Sequence, residues 1–171
     1  FSGLWVGLKV MKDTVEATSV VDGDINRMSF SEPSLRMPEG GLNIRLIDEP
    51  VDQEARLVEY KIDSAKSFAK ENKIDKCVWS GGKSPTIGFV AAGKNWLDLI
   101  HSMSLLGLDE DEANRFGVSL YKVGQIWPLD TDSFDVWAKN LDLIIVIEEK
   151  RKILEGQIKE TIFDKRDGKR I

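Results

Sequence analysis

Two short segments in the second half of the chain are apolar at consecutive positions instead of alternate ones. They are Ile87–Ala92, with the sequence IGFVAA, and Leu143–Ile147, with the sequence LIIVI. A strand with one face in water alternates apolar and polar residues, so both of these strands are expected to be covered on both faces. Such coverage is typical of a parallel sheet that lies between helices.

Helical spacing of apolar residues follows each strand of the second half. It is clearest at Trp96, Ile100 and Met103, and it returns within 134–138 and within 154–162. A third strand is expected between the first two helices. Strand and helix therefore alternate three times, which is typical of the α/β class with a mostly parallel sheet.

Residues 1–22 contain two runs of the residue types that suit a pleated strand. The first is Leu4–Val10, rich in Trp, Val and Leu, and the second is Val15–Val21. A hairpin of two strands is marginally stable by itself in water. We therefore expect these strands to belong to a sheet that lies largely outside this chain.

Between these runs and the α/β half, the sequence predicts a linker and a long helix. Residues 23–49 are rich in turn-forming Gly, Pro and Asp, and only Leu42–Ile47 resembles a strand. Residues 50–71 repeat apolar side chains on one helical face and begin with Pro50, which suits a first turn. Cys77–Trp79 predicts a short strand, antiparallel to its neighbour or at an edge, because its link to the next strand is too short for a crossover.

Composition excludes several classes of protein and site. The 171 residues carry a net charge of −5, which argues against binding to a nucleic-acid backbone, and no apolar run approaches the length of a membrane span. One cysteine, Cys77, and one histidine, His101, exclude a disulfide framework, an all-cysteine metal or iron–sulfur site and a multi-histidine site. We expect a cytoplasmic protein, and the absence of an initiator methionine or signal-like start indicates a piece of a longer chain.

The clearest candidate for ligand binding is Gly93, Lys94 and Asn95. A parallel strand ends there and a helix begins, so free backbone N–H groups and one cation would suit a small anion. The alternative is that Gly93 makes a turn, Asn95 caps the helix and Lys94 is solvated. The segments 124–128 and 148–150 are expected at the same edge of the sheet.

The remaining chemical residues favour structural roles. Ser80–Ser84 ends in Gly-Lys-Ser, but it precedes a strand and Pro85, so it indicates a turn and not a phosphate loop. Glu148 and Glu149 are expected to cap the next helix, starting near Lys150, and His101 to lie at the surface or at the edge of the core. Cys77 is interpreted as a small apolar residue. Trp96 and Trp137 are expected to pack, and Trp127 to be exposed.

Whole segments of the chain resemble a known enzyme family. The strings GLWVGLKVMKDTVEATSVVD, MPEGGLNIRL, IGFVAAGKNWLDLIHSMSLLG, LYKVGQIWPLD and LIIVIEEKRKILEGQIKE look like the middle of indolepyruvate ferredoxin oxidoreductase, a 2-oxoacid:ferredoxin oxidoreductase with fused subunits. The resemblance implies that residues 1–22 are remnant strands of a pyrimidine-binding domain, 23–49 a linker, and 50–171 a transketolase C-terminal-like domain. That domain is a three-layer α/β/α unit with a mixed, mostly parallel sheet.

The resemblance also implies a parent enzyme with chemistry that this chain does not carry. Such enzymes use thiamine diphosphate, magnesium and iron–sulfur clusters to decarboxylate 2-oxoacids, here aryl pyruvates, with coenzyme A as acyl acceptor and ferredoxin as electron acceptor. Asp22-Gly23-Asp24 has the wrong order for the segment that holds the magnesium–diphosphate. No residue of this chain is therefore assigned a catalytic, cofactor-binding or metal-binding role.

These implications lead to one preferred hypothesis and two alternatives. The preferred one is a non-catalytic structural domain, inactive by itself, that packs against other domains of the parent chain, which is expected to be a homo-oligomer. The first alternative is an independent doubly wound module that binds a small anion at Gly93, Lys94 and Asn95. The second is a dimerisation unit in which residues 1–22 pair or swap between copies.

Overall fold

A computed structural model describes residues 1–8, 10 and 12–163 of the chain. The chain divides into two compact units, Phe1–Phe68 and Ala69–Ile171. The first unit is mainly irregular with one long helix, and the second contains all the strands found among the described residues.

Helical structure in the first unit is concentrated near its end. Its elements are α1 (Lys12–Val15), a 3₁₀ turn (Ile25–Arg27), α2 (Pro50–Arg56), a π-helical turn (Leu57–Lys61) and α3 (Ile62–Glu71), whose last residues fall in the second unit. The helix predicted over 50–71 is confirmed, with Pro50 in its first turn and one π-helical turn in its middle. The ring of Phe68 packs on those of Phe1 and Phe30, at centroid distances of 5.4 and 6.0 Å.

The strands predicted in the first 50 residues are absent from the described part of this unit. Leu4–Val10 is irregular where it is described, Val15–Val21 begins in α1 and continues without regular structure, and Leu42–Ile47 forms turns. The strand prediction was wrong here because β-type residues form a strand only when a neighbouring strand accepts their hydrogen bonds. Val20 and Val21 are accordingly exposed.

The second unit alternates strands and helices. Its elements are β1 (Lys76–Trp79), β2 (Ile87–Ala92), α4 (Gly93–Leu105), α5 (Glu110–Phe116), β3 (Val118–Val123), α6 (Thr131–Ala138), β4 (Leu143–Ile147) and α7 (Leu154–Ile162). The sheet has the order β1-β3-β2-β4, in which β2 is parallel to β3 and β4 and β1 is antiparallel to β3. The prediction of an antiparallel edge strand at Cys77–Trp79 is confirmed.

The two apolar runs occupy different positions in this sheet. Ile87–Ala92 is a central strand, as predicted, with Val90 and Ala91 fully buried. Leu143–Ile147 is the outer strand of the described sheet, and only Ile144 in it is fully buried. Both of its faces contact a core, through Val146 on one side and Ile147 on the other, but its side chains are mostly half-buried. The expected coverage is therefore only partial for this second run.

Two apolar cores lie on opposite faces of the sheet. One contains Trp96, Leu99 and Met103 of α4 packed on Ala91 and Leu120. The other is larger, and its buried members are Val90, Tyr121, Val123, Leu129, Phe134, Ala138, Leu141, Ile144, Leu154, Ile158 and Ile162. Helices thus cover both faces, and the predicted three-layer α/β/α class with a mixed, mostly parallel sheet is confirmed.

Two small residues explain how α6 approaches the sheet so closely. A Cβ atom at Gly88 would lie 2.6 Å from the Trp137 ring and 2.5 Å from Leu141 Cδ1, so only glycine fits in β2 at this position. The Ser119 hydroxyl accepts a 2.7 Å hydrogen bond from the Trp137 indole and donates a 2.7 Å bond to the Trp79 carbonyl. Ser119 therefore links β3 to both α6 and the edge strand β1.

Candidate carboxyl-edge site

The three parallel strands end at one edge of the sheet. In register, Ala92 of β2 faces Val123 of β3, and Ala91 faces Ile147 of β4. The segments that follow these strands therefore leave the sheet at the same edge, as predicted. Because α4 and α7 pack on opposite faces of the sheet, the ends of β2 and β4 form the point where strand order reverses, which is where open α/β sheets bind ligands.

After β2, the chain turns directly into α4 at Gly93, whose φ is 55°. The N-cap residue is Ala92, which offers no side-chain hydrogen bond to the first turn. Asn95 lies within the helix, so the expectation that it caps α4 was wrong. The Lys94 ammonium lies 2.6 and 2.8 Å from the two carboxylate oxygens of Asp98, one turn along. Anion binding at Gly93, Lys94 and Asn95 stays a prediction.

After β4, one glutamate is fully engaged in capping. The Glu148 carboxylate accepts hydrogen bonds from the N–H groups of Ile153, Leu154 and Glu155, at 3.0, 2.7 and 3.0 Å. The predicted capping role is confirmed for Glu148, although α7 begins at Leu154 and not near Lys150. A carboxylate that caps a helix with both oxygens is not aimed at a reacting bond with its neighbour.

After β3, hydrogen bonds hold the segment 124–130 in one conformation. Asp75 Oδ1 accepts from the N–H groups of Gly124 and Gln125, at 2.7 and 2.9 Å. The Gln157 side chain, from α7, donates to the Ile126 carbonyl at 2.9 Å and accepts from the Leu129 N–H at 3.0 Å. We refer to residues 124–130 as the rim segment.

The rim segment presents an aromatic side chain to solvent. Trp127 is 58% exposed beside the exposed Ile126, and the Trp127–Pro128 bond is cis. The exposure predicted for Trp127 is confirmed, as is the packing predicted for Trp96 and Trp137. An exposed tryptophan on a segment held by several hydrogen bonds is suited to contact another surface.

The other residues singled out in the sequence are not brought together into a site. His101 is exposed on α4, as predicted. The loop from Ser80 has Gly81 and Gly82 in the left-handed region and leads into β2, which confirms a turn. Cys77 is an exposed residue and not a buried apolar one. Its thiol donates to the Trp79 carbonyl at 3.2 Å, and desolvation raises the pKa of that thiol.

One functional-looking residue was not anticipated from the sequence. Asp75 is 3% exposed and accepts the hydrogen bonds that fix the rim segment. Burial raises the pKa of its carboxyl, and the hydrogen bonds from Gln125 and Gly124 oppose that rise. The available signal was its position directly before an antiparallel edge strand, which places it beside the carboxyl end of the neighbouring strand.

Side chains that ligate metals do not cluster among the described residues. No group of three or more His, Cys, Asp or Glu side chains in the described ranges could hold a metal ion. The single cysteine of the sequence cannot ligate a cluster that needs four thiolates. In the same part of the chain, no helix combines the length and the apolarity that crossing a membrane would demand.

A comparison with models of known protein families finds a match that covers most of the second unit. Residues 76–171 match the model of the indolepyruvate oxidoreductase domain, which covers more than half of the chain. The chain belongs to the indolepyruvate oxidoreductase domain family. The predicted family resemblance is thereby confirmed. The match begins at Lys76, the first residue of β1, so it includes the entire described sheet of this indolepyruvate oxidoreductase domain.

The comparison with solved structures finds a more distant similarity. The domain is similar to a solved 2-oxoglutarate:ferredoxin oxidoreductase from Magnetococcus marinus with 2-oxoglutarate, coenzyme A and succinyl-CoA bound, at 14% sequence identity and a TM-score of 0.43. The alignment covers 91% of this chain and 25% of that one, so the chain spans about a quarter of that length. No curated protein matches.

Proposed function

We propose that this chain is a non-catalytic structural domain of a thiamine-diphosphate-dependent, indolepyruvate-type ferredoxin oxidoreductase. The parent enzyme would be a cytoplasmic oxidoreductase that decarboxylates aryl pyruvates and forms acyl-coenzyme A with ferredoxin as electron acceptor. The observation that carries this proposal is the family match over residues 76–171. Thiamine diphosphate, magnesium and iron–sulfur clusters would be held by other parts of the parent chain.

A structural role is supported because polar side chains at the carboxyl ends of the parallel strands already bind other groups of their own fold. Glu148 is engaged as a helix cap, and Lys94 is paired with Asp98. Asp75 is committed to the rim segment. General acid–base chemistry needs a group within reach of substrate, and these side chains bind other parts of their own fold instead.

The first unit supports packing against further domains. It exposes a large number of apolar side chains for its size, which would be stabilised by burial. They are Phe1, Trp5, Val6, Leu8, Val10, Val15, Val20, Val21, Ile25, Met28, Phe30, Met37, Ile44, Leu46, Ile47, Val51 and Val58. We propose that residues 1–22 complete a preceding pyrimidine-binding domain, that 23–49 link the two, and that 50–171 form the transketolase C-terminal-like domain.

Within the second unit, Trp127 is the best candidate for a contact with another domain of the parent chain. It stands on the rim segment, which is already ordered by Asp75 and Gln157, so a partner would not have to order it. Aromatic residues on rigid segments dominate the energetics of many interfaces. The proposed function is therefore testable at one side chain.

The experiment compares two exposed aromatic residues in the full-length parent enzyme. Trp127→Ala removes the rim aromatic, and Phe116→Ala removes a side chain of nearly equal exposure, 56% against 58%, at the opposite end of β3. We expect the first variant to lower indolepyruvate oxidation or the melting temperature of the parent, and the second to leave both unchanged. The isolated chain should turn over no indolepyruvate with coenzyme A and ferredoxin. Turnover by the isolated chain, or equal effects of both variants, would contradict the proposal.

The anion-binding module is a second candidate function. The absence of a side-chain cap on the first turn of α4 favours it. Apart from the flanking residues and the backbone of α4, no described atom lies within 4 Å of a Cβ position built at Gly93. Titration with sulfate or phosphate, followed by NMR, tests it. Saturable shifts at Gly93, Lys94 and Asn95 would support this module, and their absence would leave the structural domain.

Self-association is a third candidate, favoured by the exposed apolar residues of 1–22. Their β-type side chains would pair across two copies if no parent sheet accepts them. Analytical ultracentrifugation of the chain, with and without residues 1–22, measures this directly. A monomer at high concentration in both cases would exclude the dimerisation unit.

A further inference from the structure

Three polar side chains are buried together beside the rim segment, and the proposed function uses none of them chemically. Asp75 is 3% exposed, and Tyr121 and Asp130 are each 1% exposed. Asp75 precedes β1, Tyr121 belongs to β3, and Asp130 is the N-cap of α6. We refer to these three residues as the acid cluster. Two carboxyl groups in so dry a setting need either hydrogen-bond donors or a proton.

The hydrogen bonds within reach satisfy only part of the acid cluster. Asp75 Oδ1 accepts the two N–H groups of the rim segment, and its Oδ2 receives only a long bond of 3.4 Å from the Asp130 N–H. Asp130 Oδ1 caps α6 through the Ser133 N–H at 3.1 Å. Asp130 Oδ2 and the Tyr121 hydroxyl have no hydrogen-bond partner among the described residues.

The electrostatic surroundings disfavour two full negative charges. No cationic side chain of the described residues is hydrogen-bonded to either carboxyl. The charge of Lys70 in α3 interacts with Asp130, but its ammonium binds Asp132 at the exposed surface of α6. Burial, and then the charge of Asp130, raise the pKa of Asp75 against the hydrogen bonds it accepts. On β3 and β1, burial and the neighbouring acids also raise the pKa of Tyr121, and burial raises that of Cys77. The Tyr121 hydroxyl therefore faces the acids in its neutral form, and the Cys77 thiol adds no charge on β1.

We infer that the acid cluster is a proton-controlled latch on the rim segment. With a proton on Asp75, its carboxyl holds Gly124 and Gln125 against the end of β1, and Trp127 keeps its position. When that proton is lost, a negative carboxylate lies in a buried site where no cationic side chain of the described residues is bonded to it, and the rim segment opens to hydrate it. The latch depends only on the fold of the second unit, so it does not require the proposed function to be correct.

The direction of the pH effect follows from linkage. A carboxyl whose folded-state pKa is raised binds its proton more tightly in the closed state than in the open one. The closed state is therefore most stable below the ordinary carboxyl pKa of about 4, and it loses stability as pH rises toward the folded-state pKa. Between the ordinary and the folded-state pKa, the equilibrium constant for opening of the rim segment should increase about tenfold per pH unit. Above the folded-state pKa it should be constant.

Hydrogen exchange of the Gly124 and Gln125 amides measures this opening directly. We would follow both amides by NMR in the 171-residue chain between pH 4 and 8, after correction for intrinsic exchange rates. Asp75→Asn keeps an oxygen for the two N–H groups and removes the titrating proton, so opening should become independent of pH. Asp109→Asn, at the exposed N-cap of α5, is the matched control and should behave as the unchanged chain.

Each outcome bears on the latch. Opening that does not vary with pH in the unchanged chain, or a pH dependence that survives Asp75→Asn, would overturn it. If Asp75→Asn does not fold, the carboxyl ¹³C shift of Asp75 in the unchanged chain replaces it. A midpoint above the ordinary carboxyl range supports the latch, and one within or below that range contradicts it.

Discussion

The first and second units of this chain treat their apolar residues in opposite ways. In the first unit, strongly apolar side chains such as Trp5 and Leu46 are almost wholly exposed. In the second, residues of the same kinds fill two cores around the sheet. The difference shows that apolar content alone does not produce a core, because the elements that carry it must also satisfy their backbone hydrogen bonds. The second unit does this with its own strands.

The largest loss of stability is expected when an apolar side chain is removed from the centre of the second unit. Phe134 is fully buried and packs edge-on against Tyr121 at a centroid distance of 5.5 Å. Phe134→Ala should lower the free energy of unfolding by about 3–5 kcal/mol in urea denaturation, because it removes apolar contacts and leaves a cavity. Leu46→Ala, at a fully exposed position of the first unit, should change it by less than about 0.5 kcal/mol. Equal losses would mean that the units do not differ as described.

Adding one methyl group should be the next most damaging change. Gly88→Ala places a Cβ against the Trp137 ring and should cost about 1–3 kcal/mol through forced repacking. Gly156→Ala, in α7, meets no described atom within 4 Å apart from its flanking residues and the helix backbone, and it should stabilise the helix by about 0.5–1 kcal/mol. Thermal unfolding of both variants measures the difference. A neutral Gly88→Ala would show that α6 does not approach β2 as closely as the structure has it.

Loss of the Ser119 hydroxyl should have an intermediate effect. Ser119→Ala leaves the Trp137 indole N–H and the Trp79 carbonyl without this partner, at a cost of about 1–3 kcal/mol. Ser102→Ala removes a hydroxyl on the exposed face of α4 that bonds the Asp98 carbonyl of its own helix, and it should be nearly neutral. Chemical denaturation with tryptophan fluorescence would report both. An unchanged midpoint for Ser119→Ala would contradict its role as a link between β1, β3 and α6.

The smallest of the expected effects is at the end of β4. Glu148→Ala removes the cap of α7 and should cost about 1 kcal/mol, whereas Glu149→Ala, at the adjacent exposed position, should cost less than about 0.5 kcal/mol. The melting temperatures of the two variants decide between a specific cap and a general charge effect. Equal shifts in melting temperature would indicate a general charge effect.

Much of the regular structure was predictable from local sequence patterns. The central strand Ile87–Ala92 and the helix over 50–71 follow from the spacing of apolar residues. The helix α5 was missed, although Asp109 caps its start and Gly117 ends it with a φ of 71°. Its seven residues are mostly charged, so the apolar spacing that identified the longer helices is weak there.

The remaining errors concern relations between distant residues. The apolar run Leu143–Ile147 is compatible with a central or an outer strand, and only the strand order places it at an edge. Asp75 and Asp130 are 55 positions apart in the sequence, and their proximity results from the antiparallel pairing of β1 with β3. Sequence periodicity describes one element at a time, so it contains neither kind of information.

The most direct test of this account compares hydrogen exchange in the isolated 171-residue chain with that in the full-length parent enzyme. Amides of β2 and β3 should be protected in both, because the second unit supplies its own sheet and cores. Amides of residues 1–8 and 15–21 should exchange rapidly in the isolated chain and at least about tenfold more slowly in the parent, where their apolar side chains are covered. Protection of those residues in the isolated chain, or rapid exchange in the parent, would contradict the account.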